Sequence, residues 1–243
     1  MAKDRLKRDR QKLDADKVVE TLDNLYARVS ERFPASGLTE VCGGLTNTAR
    51  LTAARARRIA RPYLFLRLLV ALIVLAGVAL EAALVWRLDW SAVLRAKEGF
   101  GLAQGLESAA NLALLSGAAA WFLASLERRW KQQRVQKALH ELRSFCHVID
   151  MHQLTKDPTI LLGPATRHSP KREMTSFQLS RYLDYCAEML ALTAKLAALY
   201  AGETDDPVIV AAANDIETLA SDLGRKIWQK IMILGQLDEA RAS

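Results

Sequence analysis

The sequence has little of what marks secreted, metal-binding or disulfide-stabilised proteins. Its three cysteines, Cys42, Cys146 and Cys186, are odd in number and far apart, so they do not form a disulfide framework. The cysteines and four histidines show no familiar metal-ligand spacing, and we expect neither a metal nor another cofactor. The basic N-terminal stretch is not followed by an apolar core, so we do not expect it to be a signal peptide.

The chain also lacks the patterns of nucleic-acid-binding and β-rich proteins. Its formal net charge is +7, which either nucleic acid or anionic lipid would attract. It has no zinc-finger spacing and no basic stripe with interleaved aromatic residues, so we expect no nucleic-acid partner. No segment alternates apolar and polar residues as a half-buried strand does, and the sequence therefore predicts an all-α fold.

An apolar region lies between Pro62 and Leu126, with charged residues on both sides. Its first segment, residues 62–86, has 25 residues, and about 20 helical residues are enough to cross a hydrocarbon core. Only Arg67 and Glu81 are charged there, and both stand close enough to an end to reach the headgroups. The segment predicts a transmembrane helix. The alternative is a buried helix of a soluble protein.

The second apolar segment, residues 100–126, is more polar and has two distinct faces. On a helix, four polar residues fall within a sector about 100° wide: Gln104, Glu107, Ser108 and Asn111. Small residues recur at every fourth position, as in membrane helices that pack closely: Gly101, Gly105, Ala109, Ala113 and Gly117. The segment therefore predicts a second transmembrane helix with a packing face. Its polar face either lines a pore in an oligomer or bonds to the first span, with Glu107 at the outer interface.

Basic residues beside the two spans predict their orientation. Five precede the first span and five follow the second, whereas the connector, residues 87–98, holds three. We therefore expect an integral membrane helical hairpin in the cell membrane, with both termini cytoplasmic, and specifically in a bacterial inner membrane. Seven of the flanking side chains are candidates to contact anionic lipid headgroups: Arg55, Arg57, Arg58, Arg61, Arg128, Arg129 and Lys131. The alternative is that their charge serves only to set the topology.

The remaining sequence predicts further helices outside the membrane. Periodicity and turn signals place them at residues 4–33, 38–61, 175–202 and 207–234, and extend the second-span helix unbroken to about residue 154. The chain thus divides into N-terminal cytoplasmic helices (1–61), a transmembrane hairpin (62–126) and a C-terminal cytoplasmic helical region (127–243). We expect the N- and C-terminal helices to pack as one cytoplasmic helical bundle.

Particular residues mark the ends and the core of the C-terminal helices. Thr175 and Gln178 have capping-box spacing, while Gly202 and Gly235 are the expected helix ends. Phe177 belongs to the predicted core face of its helix. Trp228 is expected to pack in the core, with a partner-binding surface as the alternative.

Residues suited to catalysis are scattered. His147 and Asp150 share a helix face, but His152 points elsewhere, so packing and helix-end contacts are favoured over a metal site. No Ser-His-Asp or Cys-His order stands out, and we expect no enzymatic activity. A membrane-bound enzyme would need polar groups to converge around residues 147–172.

The sequence therefore favours a non-enzymatic, membrane-anchored helical protein that self-associates and presents a cytoplasmic bundle to partners. The alternative is an oligomeric ion channel or pore lined by the second span. The expected partners are a bilayer with anionic headgroups, further copies of the chain and a cytoplasmic protein.

Overall fold

The structure, a computed structural model, describes residues 13–59, 63–87, 99–158, 167–168 and 174–242. Within these ranges every regular element is a helix, as the sequence predicts. Numbered in chain order, the helices are α1 (Ala15–Arg32), α2 (Gly37–Ile59), α3 (Leu64–Arg87), α4 (Gly99–Leu154), α5 (Ser176–Ala201) and α6 (Pro207–Ala242).

Helix α1 begins at a polar cap and buries one apolar stripe. The Asp14 side chain accepts a hydrogen bond from the backbone N–H of Asp16 at 2.9 Å, which is the usual role of an N-cap residue. Four aliphatic residues at helical spacing are buried: Val18, Leu22, Leu25 and Val29. The amphipathic pattern seen in the sequence therefore supplies the face that packs into the core.

A tight turn joins α1 to α2, where the sequence predicts one. Ala35 has a φ of 53°, and the Thr39 hydroxyl donates to the carbonyl oxygen of Phe33 at 2.7 Å. An ideal Cβ atom on Gly37 would lie 2.6 Å from Cε1 of His152, closer than real contacts allow. The absence of a side chain at Gly37 thus lets α2 begin against the end of α4.

Helix α4 is a single helix of 56 residues that runs past the second apolar segment without a break, as predicted. Beyond that segment it buries Leu139, Leu142, Cys146 and Ile149, which lie three or four positions apart. This spacing places all four on one face, so the same helix serves an apolar segment first and a packed core afterwards.

Helix α5 begins and ends as the sequence predicts. The Thr175 hydroxyl accepts from the N–H of Gln178 at 3.2 Å, and the Gln178 side chain accepts from the N–H of Thr175 at 3.0 Å. This is a complete capping box. Gly202 is the C-cap. The core assignment of Phe177 is wrong: this residue is 63% exposed, because it stands in the first turn, and Arg32 lies over its ring.

Helix α6 begins at Pro207 as predicted, but the expected end at Gly235 is wrong. The helix continues to Ala242. A glycine inside a helix costs only about 1 kcal/mol relative to alanine, which later contacts can offset. One such contact joins the Ser176 hydroxyl to Asp238, at 2.8 Å.

The chain forms two compact units. The first, called here the bundle, comprises residues 1–61 and 132–243, and its described part has one continuous apolar core. The second, called here the apolar unit, comprises residues 62–131 and therefore contains α3 and the first part of α4. The bundle is thus built from two pieces of the chain, with the apolar unit inserted between them.

Two helices are long and apolar enough to cross a membrane, and their apolar windows lie in α3 and α4. Within the chain these windows are 0% and 6% buried. Large apolar side chains such as Leu68 and Leu72 are 70% and 67% exposed. A core helix of a soluble protein would instead be mostly buried, so the exposure weighs against that alternative.

Candidate functional site

The Glu127 carboxylate lies at the meeting point of the two helices of the apolar unit. It accepts hydrogen bonds from the backbone N–H of Tyr63 at 3.1 Å and from Nε of Arg67 at 2.6 Å. Nζ of Lys131, one helical turn further along α4, lies 2.9 Å away. Tyr63 directly precedes α3, so Glu127 satisfies one of the N–H groups that a helix start leaves without an intrahelical partner.

This junction is partly enclosed. The Glu127 side chain is 12% exposed and that of Lys131 is 16% exposed, whereas the Arg67 side chain remains 62% exposed. Nζ of Lys131 also lies 5.0 Å from the centre of the Tyr63 ring. A carboxylate at the start of a helix also interacts favourably with the helix dipole. Glu127 therefore joins the start of α3 to α4 by charge and by hydrogen bonding.

Away from this junction, the two helices meet along a narrow seam. On α4 the partly buried residues Ser116, Ala120, Leu123 and Glu127 recur at three- and four-residue spacing, while Ser125 and Leu126 are partly buried on other sides of the helix. The first four therefore share one face, and Leu123 and Glu127 of that face lie beside residues of α3.

The predicted polar sector of the second span lies on another side of α4. Glu107, Ser108 and Asn111 are exposed, and at 100° per residue they stand roughly 140° from the seam around a straight helix. Gln104 lies in the helix, but its side-chain surroundings are outside the described part of the structure. The described polar residues therefore stand on a different side of α4 from the seam, and the expected bond of Asn111 to the first span stays a prediction.

The predicted small-residue face lies beside the seam, and α3 does not cover it at the described positions. Ala113 is exposed, and a Cβ atom added to Gly117 would meet nothing within 4 Å. The surroundings of Gly101, Gly105 and Ala109 fall outside the described residues. At the described positions, the close approach that small residues permit is not used within one copy of the chain.

Two of the arginines predicted to contact lipid are engaged within the bundle. Arg55 lies 3.4 Å from the Glu141 carboxylate, and Arg57 lies 3.0 Å from that of Asp16. All four side chains are substantially exposed, so these pairs add little stability. Arg58 is exposed as well.

The other basic candidates follow the second apolar segment. Arg128 and Arg129 are exposed, and the Arg129 guanidinium lies 5.2 Å from the centre of the Phe122 ring. Lys131 belongs to the Glu127 junction described above. Arg61 is outside the described residues. Whether any of these side chains contacts lipid stays a prediction.

The three cysteines are buried in the bundle core. Burial raises the pKa of Cys42 and of Cys186 from 9.0 to about 12, and that of Cys146 to about 11. Because the thiolate is the reactive form, these thiols are chemically quiet near neutral pH and act as small apolar side chains.

A polar cluster lies beside the core between α2, α4 and α5. The Thr48 hydroxyl donates to Glu141 at 3.1 Å, and Arg55 approaches the same carboxylate. The hydroxyl groups of Thr52 and Tyr200 are buried, and neither has a hydrogen-bond partner within the described residues. Burial raises the pKa of Tyr200, while Thr52 and Arg55 nearby act in the opposite direction.

The histidine region of α4 has structural contacts. His147 is exposed, Asp150 accepts from the Gln153 side-chain amide, and His152 Nδ1 lies 3.4 Å from the Tyr182 hydroxyl. In the part of the chain that the structure describes, no three His, Cys, Asp or Glu side chains are placed to hold a metal ion.

Trp228 lies on the surface, so its expected core position is wrong. It is 59% exposed, and Met232, one turn later, is 63% exposed. The core side of α6 is filled by Ile227 and Leu234 instead. Trp228 and Met232 therefore form an exposed apolar pair on the bundle.

Glu127 was not among the candidate residues derived from the sequence. Two signals could have identified it. It is the one acidic residue in the stretch Leu126–Lys131, and it stands four residues before Lys131, at ion-pair spacing on a helix. Arg67, a charge inside an apolar span, also required a partner.

Comparison with known proteins finds no relative: no protein-family model, curated protein or solved structure matches the chain.

Proposed function

We propose that this chain is a non-enzymatic membrane protein that crosses the bilayer as a two-helix hairpin, self-associates, and presents a cytoplasmic helical bundle to partners. In this assignment α3 and the apolar part of α4 are the two spans. The observation that carries it is that the bundle is built from the chain segments on both sides of the apolar unit.

The bundle supports an even number of crossings. Arg28 of α1 bonds to Glu188 of α5, and Thr48 of α2 bonds to Glu141 of α4. Residues before and after the apolar unit therefore share one folded core. If the apolar unit lies in a membrane, both of its flanks must emerge on the same side.

The Glu127 junction supports an antiparallel arrangement. It brings the start of α3 against the part of α4 that follows the second apolar segment. The excess of basic residues on these flanks then favours the cytoplasmic side for both.

Self-association is supported by the faces of α4 that one copy leaves open. Glu107, Ser108 and Asn111 are exposed there, and Gly117 has open space beside it. Polar groups in hydrocarbon are stabilised by partners, and small residues allow a second helix to come close. A second copy of the same helix would provide both.

Two glycines give a matched test of self-association. Gly117 on α4 and Gly77 on α3 both have nothing within 4 Å of an added Cβ atom, so a larger residue fits either site in the monomer. We expect Gly117→Leu to reduce oligomers strongly and Gly77→Leu to leave them unchanged. Single-molecule photobleaching of labelled chains in liposomes counts the copies. Wild-type protein that remains monomeric at every protein-to-lipid ratio would overturn self-association.

Topology is tested by placing one cysteine on each side of the membrane. In intact cells, a membrane-impermeant maleimide should label Ser91→Cys in the connector. It should label Ser144→Cys, at an exposed position of the bundle, only after the cells are permeabilised. Equal labelling of both variants in intact cells would contradict the hairpin.

An oligomeric channel is the second candidate, and the exposed polar sector favours it. If copies of α4 turn Glu107 and Asn111 toward a common axis, the carboxylates form a ring that selects cations. Planar-bilayer currents whose cation selectivity falls in Glu107→Gln would support this function. The absence of current from correctly inserted protein would contradict the channel function.

Partner binding by the bundle is supported by the exposed pair Trp228 and Met232. Aromatic and methionine side chains are enriched at protein interfaces. Assays of the bundle surface should therefore begin with Trp228→Ala.

A further inference from the structure

A groove of about 560 Å³ lies between α3 and α4 within the apolar unit. Its wall is aliphatic over most of its length, and Ala71 and Ala124 widen it because their side chains are short. At one end the lining changes to two charged residues, Arg67 and Glu127. The groove is therefore amphipathic along its length.

The charged end of the groove is positive overall. Arg67 and Lys131 flank one carboxylate, that of Glu127, so the three side chains carry a formal charge of +1. Arg67 uses Nε for Glu127, and 62% of its side chain is exposed. Its guanidinium therefore faces the surroundings and is suited to a phosphate group, which it binds in a fork geometry.

The aliphatic part of the groove needs an apolar occupant if the hairpin lies in a bilayer. Water is not stable against such a wall, because it finds no hydrogen-bond partners there. A hydrocarbon chain fills the space without that penalty. The groove has the volume typical of small-ligand sites, about 300–1,000 Å³.

We propose that this groove binds one acyl chain of an anionic phospholipid, whose phosphate group is held by Arg67. The inference rests on the membrane hairpin proposed above and adds a specific lipid site to it. Charge complementarity selects the ligand, since the positive end of the groove attracts an anionic headgroup more strongly than a zwitterionic one. The site differs from general attraction to basic flanks because one chain and one headgroup are bound together.

Native mass spectrometry of the full chain, released from nanodiscs of equal phosphatidylglycerol and phosphatidylcholine, tests this proposal. We expect one retained phosphatidylglycerol per chain. Arg67→Gln should reduce the preference for phosphatidylglycerol about fivefold, the effect of one basic residue near the membrane surface. Ala124→Leu should remove the retained lipid, because it fills the groove, and Ala71→Leu should do the same from the opposite wall.

Matched controls come from the same helices. Arg87→Gln removes an arginine at the other end of α3, and Ala119→Leu enlarges an exposed alanine of α4 outside the groove lining. Both should retain lipid as the wild type does. Circular dichroism verifies that each variant is folded. If one groove variant fails to fold, the other supplies the result.

Any of three outcomes would overturn the inference: that the wild type retains no lipid, that it retains both lipids equally, or that the groove-filling variants retain as much lipid as the controls. If Ala124→Leu instead separates dimers and leaves the lipid count unchanged, the groove holds a second copy of the chain. Labelling of Ser91→Cys and Ser144→Cys in intact cells, as described above, separates the two failures. Correct topology without lipid contradicts only the site, whereas incorrect topology contradicts the hairpin itself.

Discussion

Replacing Glu127 by glutamine should weaken the junction between α3 and α4. The glutamine retains one acceptor oxygen but loses the charge and the second acceptor. It therefore cannot serve the Tyr63 N–H, Arg67 and Lys131 together, as the carboxylate does. The helix start loses the favourable interaction between its dipole and a negative charge.

The expected cost is about 2 kcal/mol. Loss of a helix N-terminal cap costs about 1 kcal/mol. The ion pair with Lys131 is mostly enclosed, and we expect it to contribute about 1 kcal/mol, at the upper end for partly exposed pairs. The pair with Arg67 adds little, because the Arg67 side chain is 62% exposed.

Hydrogen exchange of the Tyr63 amide measures this change directly, since its proton is bound to Glu127. A loss of about 2 kcal/mol corresponds to roughly 30-fold faster exchange. The measurement uses the full chain in nanodiscs, with mass spectrometry at single-residue resolution.

Glu188→Gln serves as the control, because Glu188 pairs with Arg28 in the bundle. It should leave the exchange of Tyr63 unchanged. The reasoning is refuted if Tyr63 exchanges at the wild-type rate in folded Glu127→Gln, or if both variants accelerate it equally.

Three further predictions concern the bundle. Gly37→Ala should destabilise it by up to about 1 kcal/mol, because the His152 ring has to move, and His152→Ala should remove that penalty in the double variant, as read from thermal melts. Tyr200→Phe should change stability by less than about 1 kcal/mol, because the buried hydroxyl it removes makes no well-aligned hydrogen bond within the described residues; a larger loss would mean that its interactions with Thr52 and Arg55 are true hydrogen bonds. The three buried thiols should resist Ellman's reagent at pH 8 unless the protein is unfolded. Since their folded pKa values of about 11 to 12 exceed the unfolded value of 9.0, their contribution to stability is complete below pH 9 and is lost as the pH rises toward 11–12.

Much of the helical framework could be predicted from local sequence. The capping box at Thr175, the unbroken course of α4 and the start of α6 at Pro207 each depend on neighbouring residues, which the sequence displays directly. Gly235 was misleading because a glycine is only a weak helix terminator. Contacts with residues far away in the sequence, such as that of Asp238 with Ser176, are not visible in the local pattern.

Side-chain positions were harder to predict than helix positions. Periodicity assigns a face to Trp228 and Phe177 but does not tell how far that face extends into the core. The junction at Glu127 depends on residues 60 and 64 positions away in the sequence, Arg67 and Tyr63. The polar sector was recognised from its spacing, but its direction relative to α3 required the position of the seam.

The insertion of the apolar unit into the bundle has a consequence for the timing of synthesis. Arg28 and its partner Glu188 are separated by 160 positions in the sequence. At about 5–20 residues per second, the first partner waits on the order of 10 s for the second. During that interval α1 and α2 can pack only against each other, while the apolar segments are made. Bundle closure is thus a late event, and it takes place only if translation has left both flanks in the same compartment.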